Sequence, residues 1–167
     1  MKKLLLAAAI AASLGGMIST AQAAGTASNN FNVSVTLSSQ CTAANSGTQT
    51  VDFGTYIAFQ ALPQASVGSA NLQFTCTRGF APVAVTFDTV GANSTAAGVG
   101  VVQGLQYALT TAAPVSAAGT PATSAIIGTG DTVSYVVSGT MPPLQAGACA
   151  AATCGPTTDA RTMILTY

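Results

Sequence analysis

The sequence predicts an all-β fold, because apolar and polar residues alternate along short runs and turn residues separate these runs. The clearest alternation covers residues 31–37, where every second residue is apolar: Phe31, Val33, Val35 and Leu37. Helical spacing is almost absent beyond residue 23, while 17 Gly and 7 Pro supply turns. We therefore expect an antiparallel sandwich of about seven short strands.

Six further runs follow the same alternation after residue 50. Their apolar members are Val51 and Phe53; Leu72, Phe74 and Cys76; Val83, Val85 and Phe87; Leu105, Tyr107 and Leu109; Val133, Tyr135 and Val137; and Met163, Leu165 and Tyr167. One face of each run is expected to lie in the core, so Cys76 shares the buried face of its strand. Residues 91–100 and 112–119 are mostly small, and we expect them to form exposed loops.

Residues 1–23 have the features of a bacterial export signal. Lys2 and Lys3 precede an apolar run at residues 4–14, and residues 21–23 (AQA) form a small-x-small cleavage site. The alternative is a membrane anchor, but a spanning helix needs about 20 apolar residues, more than this run contains. We therefore expect cleavage after the AQA motif and export of the remaining chain.

Charged side chains are scarce, and their scarcity excludes several classes of function. The chain has four basic and four acidic residues and no His. A nucleic-acid partner would require a basic surface to neutralise phosphates. The usual general acids, bases and nucleophiles are also missing, because there is no Glu and both lysines lie in the signal. We expect no nucleic-acid partner, no enzymatic activity and no cofactor.

The best enzymatic alternative is a carboxylate pair such as Asp52 with Asp159. Two carboxyl groups are what most glycoside hydrolases use. Isolated Asp residues beside turns, however, are far more often turn or capping groups. We therefore favour a structural role for both residues.

The four cysteines of an exported chain favour two disulfide bonds over a metal site. A zinc site has few ligands available, because the chain contains neither His nor a C-x-x-C pair. Three pairings of four cysteines are possible. The short spacing of Cys149 and Cys154 favours a bond between them, which leaves Cys41 for Cys76. A redox dithiol at Cys149 and Cys154 is the alternative, although no cation lies close in sequence to activate it.

The alternating segment at residues 31–37 has two interpretations. It directly follows the expected cleavage site, where an N-terminal tail would lie. It is either the first strand of the chain's own sheet or a strand intended for another molecule. The second role is physically reasonable, because an open sheet edge binds an alternating segment through main-chain hydrogen bonds and pockets for every second side chain.

Six short motifs follow one another in a specific order along residues 24–167. They are FNVSV (31–35) leading to Cys41, VDFGTY (51–56), FTCTRG (74–79), LQYAL (105–109), SGTMP (138–142) and TDARTMILTY (158–167). Each motif alone is weak. Together, in this order, they resemble the spore coat protein U domain family, which includes the major subunits of archaic chaperone-usher pili.

The resemblance implies an incomplete immunoglobulin-like β-sandwich that is completed by donor-strand exchange. It divides the chain into a signal peptide (1–23), an N-terminal donor strand (24–38) and a pilin domain (39–167). The implied donor side chains are Phe31, Val33, Val35 and Leu37. The implied chaperone-binding residues are Met163, Leu165 and Tyr167 of the C-terminal strand.

The resemblance also implies the partners and the destination of the chain. The partners would be identical or related subunits in a head-to-tail homopolymer, a periplasmic chaperone and an outer-membrane usher. The chain would pass through the periplasm to the cell surface and support attachment and biofilm formation. A secreted coat or matrix protein would use the same strand exchange in a different assembly. A tip adhesin is less favoured, because it usually needs an added receptor-binding domain.

Overall fold

The computed structural model describes residues 26–45, 47–89 and 96–167. The expected export signal at residues 1–23 lies outside these ranges. Within them the chain forms nine β-strands and no helix, so none of its elements is a helix able to cross a membrane. The strands are β1 (Cys41–Ala43), β2 (Gln64–Ala65), β3 (Ala70–Cys76), β4 (Ala84–Phe87), β5 (Val99–Val102), β6 (Leu105–Thr111), β7 (Val115–Ala117), β8 (Asp131–Met141) and β9 (Met163–Thr166).

Strand β8 is the centre of the larger sheet. Its 11 residues pair with β3 and β2 along one edge and with β7 and β6 along the other. All pairs are antiparallel, and the order of the main path is β1-β3-β8-β6-β5. Side chains alternate along β8: Val133, Tyr135, Val137 and Met141 are buried, whereas Val136 is exposed. Period-2 alternation thus turns one face of the sheet towards the core.

Strands β4 and β9 form a separate antiparallel pair that packs on this inward face. The buried cluster beneath the pair consists of Cys76, Val133 and Tyr135. Three half-buried side chains of the pair pack against it: Val85, Met163 and Leu165. The all-β class is therefore confirmed, and the two antiparallel sheets are compatible with a β-sandwich.

Five of the six later runs coincide with strands of the structure. They correspond to β3, β4, β6, β8 and β9. The run at Val51 and Phe53 does not, because only Asp52 between them makes a β-bridge, to Gly68. Gly54 directly follows with a positive φ of 64°, which ends the extended conformation.

Parts of both predicted loops are strands. Strand β5 begins at Val99, inside the predicted loop 91–100, of which residues 91–95 lie outside the described ranges. Strand β7 lies inside the predicted loop 112–119. Both strands are only three or four residues long, so they carry little side-chain pattern. Their pairing with β6 and β8 decides their conformation, because sheet hydrogen bonds join main chains.

The segment with the clearest alternation, residues 31–37, belongs to no strand. Its apolar side chains are largely exposed: Phe31 by 84%, Val33 by 85%, Val35 by 90% and Leu37 by 76%. The segment thus forms no strand of the described sheets. Alternation shows that a segment suits a half-buried strand, but a strand forms only where a neighbouring main chain supplies hydrogen bonds.

The structure contains two disulfide bonds, Cys41–Cys76 and Cys149–Cys154. Cys41 and Cys76 lie directly opposite each other in the β1–β3 ladder, and Cys76 is only 1% exposed. Their bond closes a loop with a sequence separation of 35, whereas the Cys149–Cys154 bond spans a separation of 5. The first bond ties an edge strand to the core, and the second closes a local loop.

We expect the two disulfides to differ in their contribution to stability. Loop-closure entropy assigns about 4 kcal/mol to the Cys41–Cys76 bond and about 2 kcal/mol to the Cys149–Cys154 bond. Urea denaturation of the paired serine variants, Cys41→Ser with Cys76→Ser and Cys149→Ser with Cys154→Ser, measures both values. An equal loss in the two variants would contradict this expectation.

Asp131, the first residue of β8, joins two loops to the sheet. Its Oδ1 accepts a hydrogen bond from the Gly119 N–H at 2.6 Å, and its Oδ2 accepts one from the Gly79 N–H at 2.7 Å. These two bonds are the main reason that the pKa of Asp131 is lowered, and the charge of Arg78 adds to the effect. The carboxylate therefore stabilises the fold in its charged form.

The lowered pKa predicts how an Asp131→Asn variant behaves with pH. A carboxylate whose folded pKa is depressed contributes stability above its unfolded pKa of about 3.8 and loses it as the pH falls through the folded value. We expect the variant to be less stable than the parent at neutral pH and to approach it in acid. Urea denaturation across this range measures the difference, and a gap that does not change with pH would refute the linkage.

Candidate functional site

The smaller sheet covers only part of the inward face of β8, and a groove occupies the rest. β4 and β9 pack over Val133 and Tyr135, whereas Val137 and Met141 further along β8 line the groove. The cavity has a volume of about 520 Å³. Further apolar lining comes from Phe53, Leu72, Leu105, Leu109 and Met163. A groove of this composition is suited to binding apolar side chains.

Two stretches outside any strand also line the groove, residues 48–51 and 156–160. Within the described part of the chain, neither stretch makes a main-chain hydrogen bond to another segment. Main-chain N–H and C=O groups are strong hydrogen-bonding groups that need partners when water is excluded. An extended peptide in the groove would find such groups along its path, which is the arrangement that strand addition requires.

Strand β9 offers a further unpaired edge. The hydrogen bond from the Asp88 N–H to the Thr162 carbonyl, together with the register of the ladder, directs the main-chain groups of Ile164 towards β4. Those of Met163 and Leu165 therefore face the other edge, where the described residues supply no neighbouring strand. An open edge of this kind accepts a strand from another molecule.

The three residues expected to bind a chaperone differ in how far their side chains are buried. Met163 and Leu165 are half-buried, and their side chains pack on the core of their own chain. Tyr167 is 53% exposed, and its ring lies edge-on to Phe80 with 6.2 Å between the centroids. Any partner of this strand would thus pair mainly with its main chain, because two of the three side chains are already packed.

A buried polar cluster lies beside the groove, around Arg161. Its Nε donates to Asp88 Oδ1 at 2.9 Å, and its Nη2 donates to the Asp88 carbonyl at 2.8 Å. Its Nη1 donates to the Val99 carbonyl at 3.0 Å and to the Tyr107 hydroxyl at 3.1 Å. The Tyr107 hydroxyl in turn donates to Asp159 Oδ2 at 2.6 Å. Burial, and then this bond to a carboxylate, raise the pKa of Tyr107.

The alternation and motif patterns of the sequence do not predict this cluster. A signal was nevertheless present, because Arg161 is one of only two arginines in a chain that is nearly free of charge. An arginine between apolar runs must be paired if it is buried. Its partner Asp88 lies 73 residues away, and this distance hides the pair from any local pattern.

Both carboxylates of the pair considered for catalysis accept hydrogen bonds within the chain. Asp159 accepts the Tyr107 hydroxyl, and Asp52 Oδ1 accepts the Gly54 N–H at 2.8 Å in a tight turn. Both residues line the groove. Their hydrogen bonds are those of a turn residue and a packed network, in keeping with the structural role expected for isolated aspartates.

Comparisons with known proteins returned no match: no family model, no curated protein and no solved structure is similar to this chain. The features that bear on function are therefore those of the chain itself. They are the apolar groove, the stretches 48–51 and 156–160 whose main chain makes no hydrogen bond to another described segment, the open edge of β9 and the exposed alternating segment at residues 31–37.

Proposed function

We propose that this chain is the structural subunit of an extracellular pilus or fimbria, in which residues 24–38 of one subunit complete the sheet of the next. The observation that carries the proposal is a matched pair of features. One is an apolar groove lined by residues 48–51 and 156–160, whose main chain makes no hydrogen bond to another described segment. The other is an exposed segment with apolar residues at every second position. The groove can accept an extended strand, and the exposed segment has the alternation of a strand that needs a sheet to pair with.

The energetics of such a contact are sufficient to hold a filament. Four donor side chains are 76–90% exposed in the single chain: Phe31, Val33, Val35 and Leu37. Burying each contributes about 1.5 to 3 kcal/mol, so the four contribute about 6 to 12 kcal/mol before ordering costs. Main-chain hydrogen bonds to the groove would add specificity of register.

The geometry of exchange determines the kind of assembly. The donor and acceptor surfaces are different parts of the chain, so the contact is head-to-tail. A contact of this type produces an open fibre unless its rotation closes a ring. A surface with few charges also lowers the repulsion between stacked subunits.

An exposed apolar groove requires protection before assembly, because it is prone to aggregation. We propose that a periplasmic chaperone caps the groove and the edge of β9, and that an outer-membrane usher exchanges the chaperone for the next subunit. The route would lead from the export signal through the periplasm to the cell surface, where the filament would support attachment and biofilm formation. No enzymatic step, metal or cofactor is part of this function.

A secreted coat or matrix protein is the second candidate. It is favoured by the same groove and the same exposed segment, since both assemblies use strand exchange. The two differ in the product, which is a filament in one case and a layer or network in the other.

Electron microscopy of material assembled from the purified, processed chain tests the proposal. We expect thin unbranched filaments. Sheets or a network would favour the coat protein, and a monodisperse monomer at high concentration would overturn strand exchange altogether.

A further inference from the structure

We infer that Arg161, Tyr107 and Asp159 form a positioning cluster that holds residues 156–162 in the conformation in which the groove accepts a strand. The inference rests on the proposed function and goes beyond it. It identifies polar side chains in the lining of the groove that hold one wall of the acceptor site in place. The donor would still supply the apolar contacts.

The first reason is that residues 156–160, which form one wall of the groove, lack their own main-chain support. Within the described residues, no main-chain group of 156–160 is hydrogen-bonded to another segment, and such bonds are found on either side of this wall. The Gly155 carbonyl accepts from the Gln103 side chain, and the Thr162 carbonyl accepts from the Asp88 N–H. Between these points, side chains must determine where the wall lies. The hydrogen-bonded side chains there are Asp159 and Arg161.

The second reason is the number of elements that the cluster joins. Arg161 binds Asp88 just after β4, Val99 at the start of β5 and Tyr107 in β6. One guanidinium thus connects the smaller sheet to the larger sheet. The side chains of Arg161 and Asp88 are only 8% and 13% exposed. Charge-assisted hydrogen bonds between partly desolvated groups hold geometry more firmly than exposed ones.

The third reason is that the larger sheet leaves space for the cluster at a glycine. A Cβ at buried Gly100 would overlap the Tyr107 hydroxyl and would lie 2.7 Å from Arg161 Nη1. Tyr107 is 4% exposed, and its ring also packs on Phe53, with 5.8 Å between the centroids. Tyr107 therefore connects the polar cluster to the apolar lining of the groove.

A peptide-binding experiment with the full chain tests the inference. The acceptor carries Val35→Asp, so that its own segment does not donate, and the probe is a fluorescent synthetic peptide of residues 24–38. Adding Tyr107→Phe removes one hydroxyl and keeps the ring. We expect binding to weaken about tenfold, because Asp159 loses its donor and Arg161 loses an acceptor. The loss should lie mainly in the association rate, since the groove is less often in its accepting form.

Matched variants separate positioning from general stability. Tyr135→Phe removes a hydroxyl from another buried tyrosine of the same sheet, one that does not line the groove, and should leave binding unchanged. Asp159→Asn keeps an oxygen that accepts the Tyr107 hydroxyl and should retain most binding, whereas Asp159→Ala should lose it. Near-ultraviolet circular dichroism confirms that each variant is folded.

The outcomes distinguish this inference from the proposed function. If the Val35→Asp acceptor binds no peptide, strand exchange itself is wrong. If that acceptor binds and the Tyr107→Phe and Asp159→Ala variants bind equally well, only the positioning role is overturned. Weakening by Tyr135→Phe to the same extent would also overturn it, because the effect would then follow from stability alone.

Discussion

The Val35→Asp chain is expected to be exported, to fold and to bind its chaperone, yet to form no filaments. Val35 is 90% exposed in the single chain, so the substitution removes no contact within the domain. In a filament the same position would enter an apolar groove. An unpaired buried carboxylate costs several kcal/mol, a large part of the 6 to 12 kcal/mol or so that the donor side chains offer. Electron microscopy and sedimentation of assembled material measure the loss.

The neighbouring residue provides a matched control. Ser34→Asp adds the same charge to the opposite, polar face of the segment, and filaments should persist. A normal Cys41–Cys76 bond, detected by peptide mapping without reduction, shows that the domain has folded. If Val35→Asp instead prevents folding of the chaperone-bound subunit, residues 31–37 are an internal strand and the assembly mechanism is wrong.

Removal of residues 163–167 is expected to abolish accumulation of the subunit in the periplasm while leaving export across the inner membrane intact. The deletion removes β9, and with it the core contacts of Met163 and Leu165 and the open edge proposed to pair with the chaperone. Without β9 the apolar core would be more exposed to solvent, so the chain would be prone to aggregation and proteolysis. Immunoblots of periplasmic and membrane fractions measure the amount of subunit.

Two single substitutions show which face of β9 accounts for the effect of the deletion. Ile164→Asp places a charge on the outer face of β9, where the side chain is 46% exposed, and should be tolerated. Leu165→Asp places the same charge against the core and should lower accumulation nearly as far as the deletion does. Normal levels of soluble truncated subunit would contradict the proposed role of this strand.

Local patterns were enough to predict the fold class and most of the strands. Alternation in β3, β6 and β8 indicated which side chains point inward, because residues i and i+2 of a strand always share a face. The short spacing of Cys149 and Cys154 favoured the pairing that the structure contains. These features depend on neighbours along the chain, so local sequence is sufficient to specify them.

Other features depend on which distant segments meet. β3 pairs with β8 across 55 to 67 residues of chain. This pairing, with the placement of β4 and β9, decides which part of the inward face stays uncovered. β5 and β7 are strands only because β6 and β8 lie beside them. The Arg161 cluster joins residues up to 73 positions apart. Residues 31–37 illustrate the same limit, since their alternation suits a strand, yet they belong to no strand of the described part of the chain. Side-chain periodicity is a local property, whereas the tertiary fold brings distant hydrogen-bond partners together. The groove and its supporting cluster therefore form only through tertiary contacts.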